Sequence, residues 1–277
     1  YKRQYLGCVE NGADFAHLSG DSGVGTMGGA QDHTAILFSE PSELGYYQYK
    51  PLGRIASVAL PGDLIFVVAS SGVHAHKAGG ARQDYNSAVQ LAQAAVDVWN
   101  RATDAQFESL EDVVASSGFS IDTFQKTIRS AQTTELPADS VVGRVQQFVQ
   151  ETRSVLPTAI QSIDTRDYVT LGKITAESQR MADGLLGNQV PETRFLVAAA
   201  MDAGAIAASA FGAGYGGSVW SLVEKREAPS FLRRWFAAYG TSYQERLRNS
   251  CFFQDTTGPG ATLLGADPSE LLIEPKL

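Results

Sequence analysis

The stretch IAASAFGAGYGGSVWSLV, residues 206–223, decides how the chain is read. Residues 206–210 and 218–223 are short apolar runs separated by Gly212-Ala213-Gly214-Tyr215-Gly216-Gly217, so the segment reads as strand, turn, strand. A tight hairpin needs only two or three residues of special backbone freedom. Here glycine holds four of the six positions, which also lets the backbone close on a ligand or a neighbouring loop. Both uses stay open at this level. Because the cluster lies between strands and not ahead of a helix, it is neither a dinucleotide fingerprint nor a Walker loop, and no G-x-x-x-x-G-K-[ST] occurs in the chain.

Upstream, residues 63–70 (DLIFVVAS) form a strong buried-strand pattern between Pro61-Gly62 and Ser71-Gly72, with weaker strands at 55–60 and 46–49. Residues 84–203 read as almost wholly helical. After Pro137, Val141, Val145, Phe148, Val149, Thr152, Val155 and Leu156 recur at three- and four-residue steps, an amphipathic stripe with Asp139 or Ser140 as the expected N-cap. Helices come next at about 166–182 and 191–204. Downstream lie a helix at 228–246, a strand at 249–253 and a loop-rich tail from Gly258. The first nineteen residues read as a short helix, residues 19–30 as a glycine-rich loop, and residues 32–38 as the opening of another helix. Helices and strands fall in separate blocks, which predicts an α+β fold.

The 277 residues carry 22 basic and 30 acidic side chains, a net charge of −8, with 44% apolar content, enough for one large domain or two modest ones. An acidic chain without clustered Lys and Arg argues against a nucleic-acid partner. Two cysteines, Cys8 and Cys251, exclude a small-domain disulfide framework and fit a reducing cytoplasm. The longest apolar stretch, residues 195–211, is rich in Ala and Gly and carries Asp202, so no membrane-spanning helix is expected. The opening residues do not read as a secretory signal. The start, Tyr1-Lys2-Arg3-Gln4-Tyr5, lacks an initiator Met, and the expectation is of a piece of a longer protein.

Gly23-Val24-Gly25-Thr26-Met27-Gly28-Gly29 contains G-x-G-x-x-G, but residues 8–22 offer no strand before it, so a Rossmann reading lacks its context. A surface loop is the plain alternative. The next turn, Gln31-Asp32-His33, places a carboxylate at a helix opening beside bare backbone amides, which suits a site handling a hydroxyl and an anion together. Gly20-Asp21-Ser22-Gly23 matches the trypsin-like nucleophile sequence only by coincidence, since the chain is mostly helical. His74 and His76, with His33 or His17 as a third, could ligate a metal. Without a Cys or acidic cluster, a polar strand end is the better reading.

Taken together, five segments in order resemble the sugar-kinase branch of the GHMP kinase superfamily, with galactokinase nearest. Val24-Gly25-Thr26-Met27-Gly28-Gly29-Ala30-Gln31-Asp32-His33 resembles the G-x-M-x-x-G-x-M-D-Q segment, with Asp32 on the catalytic aspartate. Val68-Ala69-Ser70-Ser71-Gly72-Val73-His74 resembles T-N-S-N-V-R-H, and Tyr85-Asn86 matches the Y-N that comes after it. The helix from Arg144-Val145 to Glu151-Thr152-Arg153 resembles R-V-x-H-V-x-x-E-x-x-R, and residues 209–218 resemble the motif M-T-G-A-G-F-G-G.

The resemblance implies a GHMP-kinase-like fold: residues 1–56 as part of the amino-terminal domain, and 57–277 as a carboxy-terminal domain of helices on an antiparallel sheet. It implies ATP-dependent phosphorylation of a sugar hydroxyl, with Asp32 orienting and deprotonating the acceptor. Gly28, Gly29, Tyr85, Gly214, Gly216 and Gly217 would then face the substrate, with Mg²⁺ accompanying ATP and Glu10 as its ligand. The signature G-R-x-N-x-I-G-E-H and the phosphate loop P-x-G-x-G-L-S-S-S-A do not occur, so these residues alone are expected to bind ATP weakly. Gln31 and His33 replace the usual Met and Gln, and Ala88-Val89 stand where the family's Y-N-x-R-R has its arginine pair. A non-catalytic sugar-binding or sensor protein on the same scaffold is the alternative, and an unrelated α+β domain the plainer one.

Overall fold

The structure, a computed structural model, describes residues 2–23, 31–48, 53–73, 80–131 and 136–261, with the backbone alone for 2–4 and 80–85. The chain opens with α1 (Lys2–Asn11) and α2 (Gln31–Phe38), followed by the antiparallel pair β1 (Glu43–Gln48) and β2 (Gly53–Ala59). A second sheet is built from β3 (Leu64–Ser70), β4 (Ala207–Ala210), β5 (Ser218–Glu224) and β6 (Cys251–Asp255), antiparallel throughout in the order β4-β5-β3-β6. Between β3 and β4 run α3 (Gly80–Thr103), α4 (Leu110–Ala115), α5 (Ile121–Ser130), α6 (Ala138–Gln150), α7 (Leu156–Asp164), α8 (Tyr168–Met181) and α9 (Pro191–Asp202). Between β5 and β6 lies α10 (Ala228–Ser242). The fold is α+β, as the separate blocks predict.

The continuous apolar run of β3 reflects its place in the sheet. Successive side chains point to opposite faces, and both faces are covered. Val67 and Ala69 pack with Leu196 and Ala200 of α9 and with Phe231, Trp235 and Tyr239 of α10. Leu64 and Phe66 pack on the other face with Ile163 of α7 and Leu171 of α8. A third cluster joins α3 to α6 through Trp99, Val113, Phe124, Ile128 and Val145, with the Trp99 and Phe124 rings stacked at 5.8 Å.

Polar atoms inside the sheet core are partnered, as burial requires. The Ser221 hydroxyl donates to the Val67 carbonyl (2.8 Å), the Trp235 indole to the Leu196 carbonyl (2.9 Å) and the Tyr239 phenol to the Ser71 carbonyl (2.6 Å). Burial, and secondarily Glu192, pushes the Tyr239 phenol well above its ordinary range, so it stays a donor.

Several element bounds differ from the sequence reading. The first helix ends at Asn11 and not near residue 19, because Gly12 takes a left-handed φ of +67°. Neither Asp139 nor Ser140 caps α6: Pro137 occupies that position, and its carbonyl accepts the Ser140 and Val141 N–H groups at 3.0 and 3.2 Å. The helix expected to reach 246 ends at Ser242 and gives way to a 3₁₀ segment, Gln244–Asn249. The last strand is correspondingly later, Cys251–Asp255. Two π-helical turns, Glu151–Val155 after α6 and Ala182–Leu186 after α8, were not foreseen. Such a turn bulges the helix locally and so changes the heading of the chain beyond it.

Helix α8 approaches the edge strand closely because one of its residues lacks a side chain. A Cβ on Gly172 would sit 2.6 Å from the Ile206 carbonyl oxygen. That oxygen belongs to the backbone leading into β4 and cannot swing away. Gly172→Ala should therefore destabilise the protein by about 1–3 kcal/mol, the size of an overpacked contact, despite the better helix propensity of alanine. Chemical denaturation of both proteins checks this, and an unchanged or raised midpoint contradicts the close approach.

Candidate active site

The amino-terminal side of the site is assembled by a loop that folds back on α1. Left-handed Gly12 turns the chain, the Asp14 carboxylate accepts the Gly20 N–H at 2.7 Å, and Gly23 returns to lie against the backbone of Glu10 and Asn11. Residues 24–30, which include Gly28 and Gly29, lie outside the described residues. Asp32 then stands in the first turn of α2. A carboxylate there is favoured by the aligned peptide dipoles of the helix. Its side chain is exposed and makes no hydrogen bond or ion pair among the described residues.

Next to it, His33 Nε2 lies 3.7 Å from Glu10 Oε2, and His33 Nδ1 is buried without a partner among the described residues. The sequence-predicted Glu10 is thus brought beside the residue next to Asp32. Among the described residues no group of three or more His, Cys, Asp or Glu side chains could hold a metal ion. His17 is exposed in the turn closed by the Phe15–Leu18 bridge, and His74 and His76 lie outside the described residues.

The glycine loop between β4 and β5 is the second component. Gly212, Gly214, Gly216 and Gly217 all have positive φ, and Tyr215 joins them at +59°. A Cβ on Gly214 would strike the Asn188 carbonyl, and one on Gly216 would sit 2.6 Å from the Val73 carbonyl. Two backbone bonds fasten the loop to the end of β3, Gly217 N–H to Val73 O and Ser71 N–H to Gly217 O, both 2.9 Å. The Tyr215 hydroxyl lies 3.4 Å from the Ser87 hydroxyl of α3. The Tyr85 side chain itself lies outside the described residues.

Two open clefts flank β1. One of about 570 Å³ is lined by Gln31, Thr34, Phe38, Tyr46 and Thr257, and Asp32 is not part of its wall. The other, about 580 Å³, is lined by Tyr47, Ile55, Val89, Arg144 and Phe148. Burial lowers the Arg144 guanidinium from its usual range. It donates to the Ala88 carbonyl (3.3 Å) and the Gln147 side chain (2.7 Å) and lies 5.7 Å over the Phe148 ring. Among the described residues no helix is long and apolar enough to cross a membrane.

Sequence reasoning missed Gln179, Asn188 and Gln189, which hold the glycine loop from the α8 side. One signal was available. Leu171, Thr175 and Gln179 recur at four-residue steps on the buried stripe of α8, and an amide at such a position needs a partner.

Residues 159–241, which run from α7 through the glycine loop to α10, match the family model described as GHMP kinases C terminal. Over these residues the chain is similar to a GHMP kinase carboxy-terminal domain. The chain is similar in fold to galactokinase of Lactococcus lactis, solved with galactose, at 18% identity and a TM-score of 0.68 over 85% of this chain and 56% of that one. A mevalonate kinase of L. major, solved with R-mevalonate, matches at 12% identity and a TM-score of 0.38 over 79% of this chain and 50% of that one. A homoserine kinase from Cytophaga hutchinsonii gives 14%, 0.38, 77% and 47%. The chain spans about half the length of these structures. The GHMP-kinase-like, galactokinase-like fold inferred from the five segments is the one found.

The glycine positions of this domain are not equivalent. Gly217, at φ +79°, has open space where a Cβ would go, whereas Gly214, at φ +87°, faces the Asn188 backbone. Gly217→Ala should lose about 1–2 kcal/mol through left-handed backbone strain alone. Gly214→Ala adds an overpacking penalty of about 1–3 kcal/mol to the same strain. Parallel urea titrations check the order, and equal losses would contradict the packing of Gly214 on Asn188.

Proposed function

We propose that the chain forms part of an ATP-dependent sugar kinase in which Asp32 orients the acceptor hydroxyl and takes its proton. The observation that carries this reading is the Asp32 carboxylate: exposed, without a partner among the described residues, and set in the first turn of α2 directly after the glycine-rich segment. The galactokinase-like fold supports it, as does a second glycine loop whose backbone is held with positive φ at four glycines.

In this reading ATP, accompanied by Mg²⁺, supplies the phosphoryl group. Phosphoryl transfer passes through a loose transition state, so the protein's task is positioning and charge balance. As the acceptor oxygen bonds to phosphorus and the phosphorus–oxygen bond to the departing nucleotide breaks, the hydroxyl proton moves to an Asp32 carboxylate oxygen. An exposed carboxylate with no partner among the described residues can make that hydrogen bond. Amides at Gly28 and Gly29 would lie beside the transferring group. Tyr85 and the backbone at Gly214, Gly216 and Gly217 would line the sugar side, and Glu10 is the candidate ligand for the nucleotide's cation. The two parts, residues 1–56 and 57–277, would close the site between them.

Asp32→Ala should reduce ATP-dependent phosphorylation of the preferred sugar by about 10²–10⁴-fold, the usual worth of a positioned general base, without moving the thermal midpoint. A coupled ADP-release assay over a panel of aldoses, paired with a melting curve, measures both. Turnover that survives the substitution removes Asp32 from the reaction. Sugar binding without turnover in the unaltered protein would instead favour a sensor on the kinase scaffold.

A further inference from the structure

Between α8 and the glycine loop runs a line of three side-chain amides. Gln179 accepts the Ala210 N–H at 2.9 Å and the Ser209 hydroxyl at 3.0 Å through its Oε1. Its Nε2 donates to Gln189 Oε1 at 3.2 Å, and Gln189 Nε2 donates to Asn188 Oδ1 at 2.9 Å. Asn188 Nδ2 in turn donates to the Ala213 carbonyl at 3.1 Å. The Thr193 hydroxyl adds a further donor to Gln189 Oε1 at 3.0 Å, and the Asn188 main-chain carbonyl accepts the Tyr215 N–H at 2.6 Å. Gln179, Gln189 and Thr193 are buried.

The line begins at Ala210, the last residue of β4, and ends at Ala213 within the loop, on either side of Phe211-Gly212. Its polarity is fixed at both ends. A backbone N–H can only donate and a backbone carbonyl can only accept, so each amide between them must present its oxygen toward Ala210 and its nitrogen toward Ala213. A carboxylate of the same shape at any of the three positions has no N–H to pass on. A loop rich in glycine has many backbone conformations to lose on ordering and little side-chain packing of its own to select one. The selection has to come from outside the loop.

We infer that Gln179, Gln189 and Asn188 are positioning residues that hold loop 211–217 in the shape it presents to the substrate. The part of this that concerns substrate rests on the kinase reading, whereas the part that concerns loop order does not. Buried amides in series strengthen one another, and losing one leaves its neighbours unsatisfied.

The test compares Asn188→Asp and Gln189→Glu, each near-isosteric and each removing one donor, with the unaltered chain. Amide hydrogen exchange measured by NMR should show the Ala210 and Tyr215 N–H groups exchanging about tenfold faster or more, while amides of Val67 and Val223 in the sheet keep their rates. Phosphorylation should show KM for the sugar raised about tenfold with KM for ATP within about twofold, a split that general destabilisation would not give. Gln179→Met, which removes the polar end and keeps the bulk, serves where a carboxylate variant fails to fold. Unchanged exchange at Ala210 and Tyr215 overturns the inference, as does faster exchange with unaltered sugar KM. If the whole protein that carries this chain phosphorylates no sugar, the proposed function fails, while the exchange comparison still decides whether the amides hold the loop.

Discussion

The pairing of β3 with β5 organises the glycine-loop side of the candidate site. Its register, Leu64 opposite Glu224 through Ser70 opposite Ser218, is unbroken along the full length of both strands. Sliding it by one residue would exchange the Val67–Ala69 face, which meets α9 and α10, for the Leu64–Phe66 face, which meets α7 and α8. Because both faces are buried against differently shaped neighbours, the register is strongly specified. Its consequence appears at the strand ends, where the Ser71-Gly72-Val73 turn is delivered against Gly216 and Gly217 and locks to Gly217 through two backbone bonds. The glycine loop is thus one side of a double turn whose other side belongs to β3. Tyr239, reaching through the core to the Ser71 carbonyl, ties that double turn to α10.

The same physics governs how much of this was legible in the sequence. Strands buried on two faces announce themselves as apolar runs, and β3 and β5 were readable within a residue or so for that reason. The α6 stripe was readable because its 3.6-residue period meets a single packed face through Val141 and Val145. Bounds were less legible wherever backbone geometry decided them locally. The left-handed turn at Gly12 and the π turns at Glu151–Val155 and Ala182–Leu186 leave no periodic trace in composition. Of the site, the residue types at Asp32 and in the glycine loop could be read as motifs. The amides at 179, 188 and 189 could not, because they come from two segments joined only by the fold.

The second π turn explains how that joining occurs. After α8 the widened turn ends at Gly187, whose φ of +62° reverses the chain and brings Asn188 and Gln189 back alongside Gln179. Pro191 then starts α9 immediately afterward, in the position where a missing N–H costs nothing. An ordinary α-helical ending would have carried residues 188 and 189 along a different heading. The irregular turn therefore places the partners of Gln179 before the next helix begins.

Two ends of the chain meet at α2 in a comparable way. The residues after β6 run back over this helix, with the Gly260 N–H donating to the Ser39 carbonyl at 2.7 Å and the Ala261 N–H to the Ile36 carbonyl at 2.6 Å. Gly260 has no side chain because a Cβ there would sit 2.8 Å from the Leu37 carbonyl oxygen. These bonds satisfy carbonyls at the carboxy end of α2, which an eight-residue helix otherwise leaves open. A helix this short has little stability of its own in water. Its placement, and with it that of Asp32, rests on its packing against α1 and on the bonds that hold its far end. The carboxylate at one end of α2 and the returning tail at the other are parts of one arrangement, and the chemistry proposed for Asp32 depends on contacts made more than two hundred residues later in the chain.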